Sequence, residues 1–396
     1  MKSFASISIA PRSLKPLLTL ALAALPAFAA FPNGYTYCKV VTTQHAMVSG
    51  SADLSNYPLT VKLTDADLRT AGNGGLVNNA NGYDIAFYPD CSGSGAALKW
   101  EIEAYDPSTG ALAAHVLRPT LSRTVDDTIG MYYGAGFTSF QSTAAGVWDA
   151  GYKGVWHFTS LTSDSTGANN LTNTAVSAVT GTIGGAASFN GSSSRAVNTT
   201  PTGIPNTFPM TVEMWMKPAA QPVGDSAAYL FAFSKYEGTK SSIFNAALGN
   251  TNVAGGTTEY IYYFQNNNVK NTANNLFPNA VWHHLVVVFE SATVAKVYRD
   301  GVSIGVGQPS GGNVFGAAQV LFGALDQNTT PAYFLYYSGL IDEARISNIS
   351  RSADWILTEY RNQSAPATYI SAGPRVTSGG GRIRHSVRDA MAAARQ

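Results

Sequence analysis

Three carboxylates crowd one short segment, Glu101-Ile-Glu103-Ala-Tyr-Asp106. Paired carboxylates can hydrolyse glycosides, one acting as nucleophile or base and the other as general acid. Alternation along a strand puts Lys99, Glu101, Glu103 and Tyr105 on one face and Leu98, Trp100, Ile102 and Ala104 on the other. That pattern reads as a strand with a solvated outer face. Asp342-Glu343 is a second acidic pair. Calcium takes roughly six to eight hard oxygens, and Asp164 with Asp342 is the candidate set, helped by Asn169 and the Asn190 region. The alternative is that Asp342 or Glu343 pairs with Arg345 or caps a loop. His283-His284 has the look of a metal pair, but neighbours on a strand point to opposite faces, so each is read as structural. His45, His115 and His157 are scattered singles without cysteine or carboxylate in metal-ligand spacing. The sequence has no Gly-x-Ser-x-Gly elbow and no phosphate loop. No catalytic residue is assigned.

Aromatic residues are the other candidates. Tyr260 and Tyr262, with Phe264, share one strand face, and Tyr333 and Tyr336 belong to a second aromatic segment. An exposed tyrosine can stack on a sugar ring or anchor a protein partner.

The elements that must position these residues read as β-structure. In VWHHLVVVFESATVAKVYRDGVSIG (281–305), a β-branched run is followed by a second strand, Asp300-Gly301 and a returning strand. A two-residue type I′ turn needs φ > 0 at both central positions, which Asp-Gly tolerates. Leu285 to Phe289 is apolar on both faces, so a loop or the other domain is expected to cover the outer one. Further short strands separated by turn clusters, such as Tyr57–Leu63, Tyr83–Tyr88 and Met210–Lys217, argue for sandwiches. Ser352 to Arg361 is the one convincing helix past the N-terminus, with Ser352 as N-cap and Trp355, Ile356 and Tyr360 as its buried stripe. The expected fold class is all-β: two antiparallel β-sandwich domains, at 30–150 and 151–372, with one short C-terminal helix.

Residues 1–29 read as a signal peptide, with Lys2, Arg12 and Lys15 before an apolar Leu17–Leu25 and an Ala27-Phe28-Ala29 cut site. The apolar run is shorter than the about 20 residues a membrane span requires, and none of that kind follows it. Export to the periplasm or the extracellular space is expected. Cleavage takes the chain's 25 basic residues to 22 against 24 acidic ones. That near-neutral balance argues against nucleic acid as a partner. The two cysteines, Cys38 and Cys91, both survive cleavage, and in an oxidising compartment they are expected to pair. Residues 373–396 read as a flexible basic tail after Ser378-Gly379-Gly380-Gly381.

SFNGSSSRAV (188–197), MTVEMWMKP (210–218), VWHHLVVVFE (281–290), KVYRDGVSIG (296–305) and GLIDEARISNISRS (339–352) together resemble a laminin-G-like jellyroll of the concanavalin A-like lectin/glucanase superfamily. The resemblance implies a jellyroll that binds carbohydrate, in some members with a structural Ca²⁺. Laminarinase-like members carry Glu-x-Asp-x-x-Glu on one strand; here the nearest match, at 101–106, is permuted and lies outside the jellyroll. LTDADLRT (63–70), NGYDIAFYPD (81–90), LKWEIEAYDPSTGAL (98–112) and VWDAGYKGVWHF (147–158) resemble the bacterial domain of unknown function 2341. That resemblance implies an exported protein, sometimes linked to proton channels of the TolQ/ExbB type. The expected partner is therefore a glycan or an envelope protein.

Overall fold

The computed structural model describes residues 30–204, 207–222, 226–232, 245–253, 256–262, 268–269, 277–291, 294–307, 319–326 and 333–378. The signal-peptide expectation and residues 379–396 lie outside them.

The fold is all-β, with two short helices near its end. The first sandwich is built from β1 (Tyr37–Thr43), β2 (Leu54–Thr64), β3 (Ala86–Tyr88), β4 (Trp100–Asp106), β5 (Ala111–Leu121) and β6 (Asp127–Tyr133). Then come β7 (Tyr152–Trp156), β8 (Thr172–Thr174), β9 (Ser177–Thr180), β10 (Gly185–Asn190), β11 (Arg195–Asn198) and β12 (Met210–Pro218). β13 (Ser226–Ala232), β14 (Asn245–Val253), β15 (Gly256–Tyr262), β16 (Asn268–Val269), β17 (His283–Ser291), β18 (Val294–Arg299) and β19 (Val302–Gly307) follow. β20 (Val320–Phe322), β21 (Leu325–Asp326), β22 (Tyr333–Phe334) and β23 (Ser338–Ser347) complete the second unit. Helices α1 (Ala353–Ser364) and α2 (Pro366–Tyr369) lead into β24 (Ile370–Thr377).

In the first unit, a β24-β1-β6-β3 sheet faces a β2-β5-β4 sheet. Between them lies a core containing Tyr57, Leu59, Val61, Phe87, Trp100, Val116 and Met131. Cys38 and Cys91 are joined there by a disulfide, with Cα atoms 5.8 Å apart. In the second unit, β19-β18-β17-β12-β23-β10-β9, with β7 beside β23, faces β16-β15-β14-β13-β20-β11-β8. Trp156, Phe158, Met214, Leu230, Phe231 and Phe322 lie in the core between those sheets. The Asp300-Gly301 turn has φ of 52° and 78°, as a type I′ hairpin requires.

Two features depart from expectation. Residues 373–377, assigned above to a flexible tail, form most of β24, whose register pairs Cys38 with Val376 and Tyr37 with Thr377. Ile370 and Tyr369 are buried in the first core, so the chain closes the first sandwich with its own far end. The outer face of β17 is covered by α1, whose Ile356 packs on Val286, Val288 and Tyr298. Ser352 caps that helix, accepting from the Trp355 amide at 3.1 Å. Asn362, on the last turn of α1, brackets the peptide of Thr60 on edge strand β2. It accepts from the Thr60 amide at 2.8 Å and donates to its carbonyl at 2.9 Å. Such a bracket satisfies edge groups that would otherwise be open to another chain.

Candidate functional site

Much of the outer face of the β2-β5-β4 sheet is covered. It lies against the outer face of β23, β12 and β7, and the seam is lined with charge. Glu101 and Glu103 come from β4, His115 from β5, Glu213 from β12, and Glu343 and Arg345 from β23; His157 follows β7 directly. The side chains of Glu103, His115, Glu343 and Arg345 are at most 1% exposed. The expected solvated face at Glu101 and Glu103 is therefore corrected: the jellyroll covers it.

Two backbone irregularities aim these groups. On β23 the pairing with β12 shifts register between Glu213 and Trp215, opposite residues 342–345. Glu343 there has φ of 51°, a left-handed conformation disfavoured for a side-chain-bearing residue. An inserted residue breaks the alternation. Ile341, Ala344 and Ile346 still point into the jellyroll core, while Asp342 and Glu343 in succession both leave it. On β4 the pairing with β5 slips between Ile102 and Ala104. Glu103 is the extra residue. Tyr105 consequently turns back towards the first core and donates to the Leu68 carbonyl, against the simple alternation expected.

His157 is held between two carboxylates, with Nε2 at 2.9 Å from Glu101 and Nδ1 at 2.5 Å from Glu343. It stacks on His115, ring centres 4.6 Å apart and 15° from parallel. His115 places Nε2 at 3.1 Å from Glu103 and Nδ1 at 3.3 Å from the Thr60 hydroxyl. Glu101 also accepts from the Trp148 indole at 2.6 Å and the Ser165 hydroxyl at 2.8 Å. Glu103 accepts from the Thr159 hydroxyl at 3.0 Å. A Cβ on Gly184 would sit 2.1 Å from Glu103 Oε1, so glycine there permits the hairpin after β9 to approach the seam.

Burial works against Glu101 ionising, but His157's charge and hydrogen bond hold it down at about 2. Burial and the neighbouring Glu343 push Glu103 up to about 8. Burial pushes His115 down to about 3. For His157 burial is overcome by Glu343 and Glu101, which raise it well above the usual imidazole range. Glu101 and Glu103, two residues apart on β4, are thus shifted in opposite directions, a difference set by surroundings rather than residue type.

Arg345 anchors the other half of the seam. Its guanidinium donates to Glu343 and Glu359 and lies 3.5 Å from Glu213. It also sits over the Trp148 ring, 4.9 Å from its centre. Gln363, on α1, accepts from the Trp215 indole at 2.5 Å.

Asp342 caps a loop, accepting from the Thr182 and Ile183 amides at 2.6 and 3.1 Å. Glu343 pairs with Arg345. Asp164 likewise accepts from the amides of Val155, Thr166, Ala168 and Asn169. His283 pairs with Asp300 at 2.8 Å, and His284 packs near Trp215 and Tyr360, so the two rings face different partners. His45 pairs with Asp126 at the surface. His115 and His157 are not scattered singles, because the fold unites them with Glu103 and Glu343. Tyr333 and Tyr336 are half-buried, and the Arg195 guanidinium lies over the Tyr333 ring at 4.0 Å. Tyr260 and Tyr262 lie on β15 opposite Gly249 and Ala247; their side chains, and Phe264 entirely, lie outside the described residues.

Beside the seam runs a cleft of about 630 Å³, lined in part by Leu63, Leu112, Ile183, Lys62, Asp106 and Thr180. A smaller pocket of about 180 Å³ opens directly onto Glu101, Glu103 and His157.

Residues 189–357 match a family described as the concanavalin A-like lectin/glucanases superfamily. They form the concanavalin A-like part of this all-β chain. No curated protein matches the chain. Among solved structures, it is similar to domain 4 of AbnA, a GH43 extracellular arabinanase from Geobacillus stearothermophilus, in complex with arabinotriose. That likeness has 22% identity and a TM-score of 0.40, over 54% of this chain and 99% of the other. The chain is also similar to the binding domain of Paraclostridial Mosquitocidal Protein 1, at 11% identity and a TM-score of 0.36, over 50% of this chain and 48% of that one. The receptor-binding domain of botulinum neurotoxin C/D mosaic serotype gives 10% identity and a TM-score of 0.38, over 54% and 51%. The chain spans about half the length of the latter two. No helix among the described residues is long and apolar enough to cross a membrane.

Proposed function

We propose that this is an exported protein whose jellyroll recognises a carbohydrate or another surface polymer without cutting it. The observation that carries this reading is the match of residues 189–357 to a lectin/glucanase superfamily. The Cys38–Cys91 bond supports an oxidising compartment, since such bonds persist outside the cytosol. In this reading the first sandwich is of the kind called domain of unknown function 2341.

The cleft beside the seam is where we place the ligand. Its volume falls within the about 300–1,000 Å³ of ordinary ligand sites, and an apolar floor with a few polar groups suits a sugar face. The non-catalytic part of the proposal has support in Glu101, which is held by His157, Trp148 and Ser165. Both oxygens of that acid already accept hydrogen bonds.

A glycan array probed with the secreted chain, with calcium and with chelator, tests the proposal. Binding of a defined glycan class is expected. Ala367, an exposed residue on the cleft wall, offers the control, since Ala367→Trp fills the mouth without disturbing the core. It should abolish capture while leaving the melting temperature unchanged. Absence of binding in every condition contradicts the proposal, and full binding by Ala367→Trp removes the cleft from it.

A further inference from the structure

We propose that Glu103, His115, His157 and Glu343 form a binding site for a divalent transition-metal ion that fastens the first sandwich to the jellyroll. The site is independent of any glycan role.

One donor atom from each of these four side chains lies within 4.8 Å of all the others. Glu103 Oε2 lies 3.1 Å from His115 Nε2 and 3.9 Å from His157 Nδ1, while Glu343 reaches His115 Nε2 through Oε2 at 3.8 Å and His157 Nδ1 through Oε1 at 2.5 Å. A tetrahedral ion with ligand distances near 2.0–2.1 Å separates its ligand atoms by roughly 3.3 Å. Three of the separations lie within about 0.6 Å of that edge length, and the 2.5 Å hydrogen bond between His157 and Glu343 would open as an ion replaced its proton. Two imidazoles with two carboxylates are a borderline donor set, suited to zinc and its neighbours rather than to calcium or magnesium.

The surroundings match what metal-bound histidines require. A ligating imidazole commonly gives its other ring nitrogen to an outer partner, which fixes its orientation. His157 turns Nδ1 inward and Nε2 to Glu101; His115 turns Nε2 inward and Nδ1 to Thr60. Glu103 is oriented by Thr159. The small pocket at Glu101, Glu103 and His157 gives an ion a path from solvent. Among the described residues, the basic side chains within 4 Å of the Glu103 carboxyl are the two histidines, with no lysine or arginine.

A simple hydrogen-bonded chain explains the contact between His157 and Glu343. It does not explain why four donors from three strands and the end of a fourth converge, two of them through inserted residues. The neighbouring group Glu213, His284 and Glu359 also converges, but there the Arg345 guanidinium reaches both carboxylates, whereas in the proposed site it reaches Glu343 alone, through Oε2, and Oε1 faces His157. The neighbouring group is a salt-bridge centre.

The test uses the full secreted chain without a polyhistidine tag, stripped with chelator and titrated with Zn²⁺ and with Co²⁺. One zinc per chain should survive gel filtration and raise the melting temperature. Co²⁺ should give the intense visible bands of a tetrahedral site, and Zn²⁺ should shift His115 Nε2 and His157 Nδ1 in imidazole ¹⁵N spectra. Glu103→Gln, near-isosteric, should keep the folded circular dichroism and lose the cobalt bands. Glu101→Gln, which alters a positioning residue, should weaken zinc roughly 10–100-fold. His45→Ala should change nothing. Absent stoichiometric zinc, an unshifted melting temperature, or cobalt bands that persist in Glu103→Gln overturns the proposal. If Glu103→Gln does not fold, the imidazole shifts decide: unmoved signals at both nitrogens overturn it.

Discussion

Glu103 and Glu343 come from different sandwiches, and each is the inserted residue of a bulged strand. Each carboxylate lies within ion-pair distance of both His115 and His157. Bulges re-aim side chains, and a residue held at φ of 51° persists only where its surroundings over-determine it. The charged seam is thus built by two matched departures from regular pairing.

Arg345 holds three carboxylates in a dry setting. Removing one partner of a buried ion pair leaves uncompensated charge, at a cost of about 3–5 kcal/mol. Arg345→Met should lose that much in urea unfolding. A loss under about 1 kcal/mol would show that water reaches the cluster.

The Cys38–Cys91 bond spans a sequence separation of 53. Closing a loop of that size restricts the unfolded chain by about 4 kcal/mol in the chain-entropy model. Calorimetry with and without reductant should show the melting temperature falling on the order of 10 °C. An identical melting temperature would refute that estimate.

His284 is fully buried, and burial, with Arg345 adding to it against Glu359, Asp300 and Glu343, lowers its pKa from 6.5 to about 4. Its neutral form is the folded form. The stability it allows is complete above pH 6.5 and is lost as pH falls from 6.5 towards 4, by up to about 3 kcal/mol. Below that the loss levels off. Comparing the wild type with His284→Leu between pH 4 and 7, by denaturant unfolding, isolates this slope. The variant should be flatter across that window; parallel curves would contradict the assignment.

Gly301 takes φ of 78°, and a Cβ there would lie 2.7 Å from Leu357 Cδ1 on α1. Gly301→Ala should therefore cost more than the about 1–2 kcal/mol of a left-handed residue alone, because the Leu357 side chain must also shift to admit the methyl group. Thermal unfolding of Gly301→Ala beside the double variant Gly301→Ala/Leu357→Ala separates the two effects. Relief in the double variant is expected, and equal losses would assign everything to the turn.

The local signals in the sequence were dependable. Asp300-Gly301 carries its turn in the chemistry of two adjacent residues, and Ser352 caps a helix three residues on. The seam was hidden for a physical reason. Glu101 and Glu103 look solvated if β4 alternates regularly and nothing covers it, but Glu103 is an inserted residue and the cover comes from Glu343, far along the chain. His115 and His157 look isolated because spacing along the chain reports ligands only when they share one element. β24 looked like a tail because its partner, β1, lies at the opposite end of the sequence. Its residues are half-exposed and offer little alternation.

The most direct measurement is to mix the purified chain with the oligosaccharide that scores highest on the array and follow both calorimetric binding and the size of the recovered sugar. Saturable binding with the oligosaccharide returned at full length is the predicted result. Shortened products accumulating in proportion to protein and time would contradict a non-catalytic binding protein.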